Sequence, residues 1–232
     1  MMTEEYVAHD LGGMELDASK LEIVWFAEGD AASLLYDGEL LCVIPGWANA
    51  ENRFPGYSKY AKGNSEYAWE LGRAEPVLMN RTQKSKKFWN SFSDSFWATV
   101  QEEHLIALKQ LFGAHEKYYA IDGGKFPPKA LVAGSRDGKV YGITAGVSLI
   151  PMPCIEQCVE APEKHRRMEL GFATIQQHRG LCDHMYMMMS SLAAYPWKYL
   201  TFFAHGHTIP FPKINGFAAL LFVNPKFVPE VE

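Results

Sequence analysis

The chain has 232 residues, 48% hydrophobic and 21% charged, a balance that excludes an intrinsically disordered protein and suits one large domain over residues 1–232. A formal net charge of −5 gives the molecule as a whole no electrostatic reason to seek nucleic acid or an anionic membrane. No stretch reaches the about 20 apolar residues that span a bilayer. The acidic start Met1-Met2-Thr3-Glu4-Glu5 lacks the basic-then-apolar order of a secretory leader. Cys42, Cys154, Cys158 and Cys182 are irregularly spaced, so free thiols in a reducing, cytoplasmic compartment are expected.

Residues 21–28 and 39–44 are short β-favouring runs, and Asp37-Gly38 ahead of the second is a hairpin signal. Pro45 ends the second run by removing a ladder donor. Residues 46–90 are irregular and rich in aromatics (Trp47, Phe54, Tyr57, Tyr60, Tyr67, Trp69), and read as long loops with at most a short helix. Residues 94–112 form the clearest helix: Trp97, Val100, His104, Leu108 and Leu111-Phe112 recur at helical spacing, Ser93 or Asp94 is placed to cap it, and Gly113 to end it.

Arg136-Asp137-Gly138 lies between strands expected at 130–133 and 139–150, the latter with Tyr141, Ile143, Ala145, Val147 and Leu149 on one face. Gly142 and Gly146 fall on the other face, where missing side chains let a helix or loop pack close. Met168, Leu170 and Phe172 alternate as in a further strand. Residues 181–195 form a second helix with a stripe of Leu181, Met185, Met188-Met189 and Leu192, stopped by Pro196. Strands are expected at 199–203, 208–211 and 217–223. Hairpins interrupted by two separated helices make an α+β fold with a mixed or antiparallel sheet.

Chemical signatures are scarce. Gly146-Val147-Ser148-Leu149-Ile150 lacks the second glycine of a nucleophile elbow and reads as a strand running into a loop. Cys154, Cys158, His165, Cys182 and His184 offer zinc ligands only loosely, since Cys182 and His184 at i, i+2 face different sides of a helix. His205-Gly206-His207 on a strand would put two imidazoles on one face but lacks a third ligand, and a turn is the simpler form. Lys84, Lys86 and Lys87 before Phe88-Trp89 are a solvated cluster sooner than a nucleic-acid site. The Met187-Met188-Met189 run could form an adaptable binding surface, but its helical spacing favours core filling. No phosphate-binding GxxxxGK[ST], no GxGxxG opening a helix and no HExxH occurs, so no cofactor, metal or catalytic residue is assigned.

Tyr141-Gly142-Ile143-Thr144-Ala145-Gly146-Val147-Ser148, then Pro151-Met152-Pro153 and Met168-Glu169-Leu170, resemble the suppressor of fused family. A second block agrees: the methionine-rich helix, Ala193-Ala194-Tyr195 and His205-Gly206-His207-Thr208-Ile209. The resemblance covers residues 95–225. It implies an α+β domain that binds other proteins without catalysis. In animals the family restrains a Hedgehog-pathway transcription factor and adds a C-terminal domain beyond the length seen here. Short members resemble bacterial immunity proteins that neutralise toxins. The animal partner-binding residues are not transferable, because their groove uses both domains.

The expected function is therefore non-enzymatic binding of another protein, a toxin among the candidates. The rival is a hydrolase or zinc-dependent enzyme built on His205 and His207, and a third possibility is self-association through the aromatics of residues 47–69. Two stretches are expected to offer a partner surface, residues 47–69 and the proline loop with Ile150 and Met152 together with Glu156, Glu160 and Glu163 after it, which suit a basic partner; Ile150 and Met152 folding back onto the core is the equal alternative.

Overall fold

The computed structural model describes residues 16–46, 48, 55–65, 68–93, 95–214 and 216–224. Trp47, Phe54, Tyr67 and Asp94 lie outside them, as do the side chains of residues 156, 157 and 212–214. The backbone gathers into two compact units, residues 1–93 and 94–232.

In residues 1–93, strands β1 (Leu21–Trp25), β2 (Ala31–Tyr36), β3 (Glu39–Pro45), β4 (Tyr57–Ser58) and β5 (Trp69–Glu70) form one sheet in that order. All pairs are antiparallel except β4 with β5. The Asp37-Gly38 hairpin closes with Tyr36 opposite Glu39, as its turn chemistry predicts. Val24, Phe26, Leu35, Leu40, Val43 and Leu71 form the core. Full burial of a side chain of this size is worth about 2 kcal/mol.

The stretch expected to be irregular contains a 16-residue helix, α1 (Glu75–Asn90), with a proline in its first turn. It escapes periodicity because its buried residues are polar, Thr82 and Ser85. They dock by hydrogen bonds: Thr82 Oγ1 donates to Ser33 Oγ at 3.1 Å, and the Ala27 amide donates to Ser85 Oγ at 3.1 Å. Beside them Arg81 bonds both oxygens of buried Asp30 at 2.9 and 3.0 Å, lies 3.3 Å from Glu28, and covers the Phe26 ring at 4.6 Å. Lys86 pairs with Glu22 at 2.7 Å, and Lys84 and Lys87 are exposed, so the lysine cluster sits on a helix and not in a loop.

In residues 94–232, a four-stranded antiparallel sheet runs β6 (Lys117–Ala120), β7 (Ala130–Arg136), β8 (Lys139–Ala145), β9 (Gly171–Ile175). Helix α2 (Phe96–Phe112) covers one face and α4 (Cys182–Leu192) the other. Alternation along β8 sorts them: Tyr141 packs against Phe112 of α2 with ring centroids 5.5 Å apart, whereas a Cβ on Gly142 would come within 2.7 Å of the Tyr186 ring of α4. That close approach is what the glycine is for.

Several expected boundaries move. The alternation past Ala145 ends because Gly146 adopts φ +101 and Val147–Leu149 coil into a 3-10 turn. The alternation at Met168 and Leu170 precedes the strand, because the Thr144 hydroxyl takes the Leu170 amide at 2.8 Å. Pro196 does not stop the second helix, which ends at Leu192; it sits in the first turn of a short helix α5 (Tyr195–Tyr199), where its missing N–H costs nothing. The strand expected at 199–203 is therefore absent. A short helix α3 (Ile155–Cys158) follows the proline loop, and β10 (Thr208–Ile214) pairs with β11 (Phe217–Leu221) as a hairpin. Strands, helices and mixed and antiparallel sheets together make the fold class α+β. No helix among the described residues is long and apolar enough to cross a membrane.

Candidate functional site

The turn after β8 gathers a network of hydrogen bonds. Gly146 in its left-handed conformation bends the chain so that three successive amides converge, an arrangement that favours an anion. The anion is supplied from within. Oε1 of Glu169 accepts from the Gly146 amide at 2.9 Å, the Ser148 amide at 3.0 Å and the Ser148 hydroxyl at 2.6 Å. Oε2 accepts from the Thr144 hydroxyl at 2.7 Å and the Val147 amide at 3.3 Å. A side chain on Gly146 would also meet the Pro128 carbonyl at 2.6 Å and the Trp97 ring of α2 at 2.8 Å. The turn that invites comparison with a nucleophile elbow is thus filled by an internal carboxylate.

Arg167 completes the clamp from the other side of Met168, donating to the Ser148 carbonyl at 2.8 Å and to that of Leu149. With residues 167 and 169 fastened, Met168 is held in the wall of a groove of about 630 Å³. Its floor is apolar: Ile155, Leu170, Met189, Leu192 and Phe203 belong to one buried cluster. Met168, Met185 and Met188 add three adaptable thioether walls, and Leu220 to Asn224 close the far side. The methionine run thus divides: Met189 is core, Met188 lines the groove, and Met187 is exposed. Lys164, His165 and Arg167 stand on one rim and His205 on the other.

The residues expected to meet a partner are not gathered here. Ile150 is 7% exposed and Met152 1%, so neither presents its side chain to solvent. The loop folds inward because its polar groups find internal partners. The Pro151 carbonyl accepts from the Trp197 indole at 3.0 Å, the Met152 amide donates to the Arg166 carbonyl at 2.6 Å, and the Met152 thioether accepts from the Phe203 amide at 3.4 Å. Glu160 and Glu163 are exposed but do not line the groove, and the Glu156 side chain lies outside those described.

His205 and His207 do not share a strand face. The pair sits at the turn into β10, where Nδ1 of His205 accepts from the Asn224 amide at 3.2 Å and His207 lies 5.5 Å from the Phe202 ring. All four cysteines are free thiols, and burial pushes the Cys42 and Cys182 thiols up. Among the described residues no three His, Cys, Asp or Glu side chains are placed to hold a metal ion. Lys129 is buried with its ammonium 5.1 Å from the Trp197 ring, and desolvation lowers its pKa. Known protein-family models, the curated proteins and the solved structures give no match to this chain.

Proposed function

We propose that this chain is a non-enzymatic protein-binding module of the suppressor of fused type, acting in the cytoplasm as an immunity protein that neutralises a toxin, with the methionine-lined groove as its binding site. The groove is the observation that carries this reading. It is open, apolar at the floor and walled by flexible thioethers, the make-up of surfaces that seat side chains of another protein. The resemblance adds support, because its residues 95–225 fall within the compact unit 94–232 and its first sequence block, from Tyr141 to Leu170, supplies both sides of the Glu169 clamp.

The enzyme alternative rests on His205 and His207, which are taken up with a backbone amide and an aromatic ring and converge on no described carboxylate. Parallel affinity capture from the native host with the wild-type chain and Met188→Glu tests the proposal. A protein retained by the wild type and lost from a correctly folded variant is expected; equal retention by both removes the groove from the account.

A further inference from the structure

Building on the groove as a protein-binding site, we infer that the segment it receives is acidic as well as apolar: a linear stretch in which carboxylates flank large aliphatic or aromatic side chains. Four features of the groove require this combination.

First, the floor and methionine walls reward burial of large apolar side chains. Second, the cations of the wall, Lys164 and Arg167, are both exposed, and the imidazoles of His165 and His205 stand beside them. No carboxylate among the described residues pairs with Lys164 or His165. Third, the one carboxylate in the wall among the described residues, Glu169, already accepts five hydrogen bonds from the turn at 144–148, which neutralise much of its field. Fourth, Arg167 is fixed by the Ser148 and Leu149 carbonyls, so its charge is held at the rim without further ordering.

The groove is thus locally basic on a chain of net charge −5. Over a screening length of about 8 Å the local rim decides, and not the whole-molecule charge. This charge is opposite in sign to that of the basic partner which the acidic stretch after residue 155 would suit.

The test uses fluorescence anisotropy of three short dye-labelled synthetic peptides of equal length, one of glutamate and leucine, one of lysine and leucine, and one of glutamate and serine. Binding of the glutamate–leucine peptide is expected, with the other two weaker by about tenfold or more. Lys164→Glu with His165→Glu, both exposed positions outside the clamp, should weaken the glutamate–leucine peptide about tenfold and strengthen the lysine–leucine peptide. Met185→Glu should abolish binding of both leucine peptides. Equal or tighter binding of the lysine–leucine peptide, or no binding of any peptide, overturns the inference. If the protein captured from the host is still lost on Met188→Glu, the groove as a binding site survives that outcome; if capture is also unchanged, both fall together.

Discussion

Oε1 of Glu169 accepts two hydrogen bonds from Ser148, one from the amide at 3.0 Å and one from the hydroxyl at 2.6 Å. This pair joins two segments more than twenty positions apart and fixes the turn that ends β8 to the wall of the groove. A carboxylate with five donors is costly to remove, because the donors are left facing each other without an acceptor.

Glu169→Ala should therefore lower stability by about 3 kcal/mol, measured by urea denaturation. Glu169→Gln keeps the shape and one acceptor oxygen but turns an NH2 toward the donors, and should cost about 2 kcal/mol. A loss below about 0.5 kcal/mol for the alanine variant would mean that the clamp does not hold the turn.

Two glycines of one strand region should respond differently to alanine. At Gly146 the new methyl meets a backbone carbonyl at 2.6 Å and the residue keeps φ +101, so a cost of about 3 kcal/mol is expected. At Gly142 the obstacles are the rings of Phe172 and Tyr186 at 2.7 Å, which can shift, and about 1.5 kcal/mol is expected. Tyr186→Ala should relieve Gly142→Ala but not Gly146→Ala, a non-additivity visible in a double-mutant cycle.

In residues 1–93, Arg81→Met leaves Asp30 and Glu28, 1% and 6% exposed, without this cation. A loss of about 3 kcal/mol is expected, against about 1 kcal/mol for Thr82→Val, which removes one hydroxyl from a chain of hydrogen bonds. Thermal unfolding of the two variants side by side checks the order, and a reversed order would contradict a guanidinium-centred interface.

Alkaline stability gives a signed test. Burial, helped by the neighbouring Cys182, pushes the Tyr186 phenol from its ordinary value of 10.0 up to about 12. Between those values the unfolded chain releases this proton more readily than the folded one, so stability falls as pH rises from about 10 to about 12. Burial raises Tyr118 and Tyr141 in the same sense. Tyr186→Phe should flatten the decline in urea midpoint over that window; an unchanged slope would show that Tyr186 is solvated in the folded chain.

What the sequence reveals follows from how local each signal is. The Asp37-Gly38 and Asp137-Gly138 turns were legible because two residues determine them, with Tyr36 opposite Glu39 and Arg136 opposite Lys139 as expected. Helix α2 was legible from its spacing and from Gly113 at its end. Helix α1 was not, because Thr82 and Ser85 replace the apolar stripe and their partners Ser33 and Ala27 lie far away in sequence. The groove was legible only in its methionines, since its walls come from four separated segments. Their own segment leaves Ile150 and Met152 equally open to an exposed loop or to the core, and Trp197 and Phe203, some 50 positions on, decide for burial.

The most direct measurement of the central claim is the dissociation constant of the protein captured from the host, taken with the wild type, with Met188→Glu in the groove and with Ile23→Glu on an exposed position of β1. A groove-bound partner predicts a loss of about tenfold or more, or about 1.4 kcal/mol, for Met188→Glu, with Ile23→Glu unchanged. The opposite pattern, full affinity with Met188→Glu and loss with Ile23→Glu, would contradict it and move the interface to the sheet of residues 1–93.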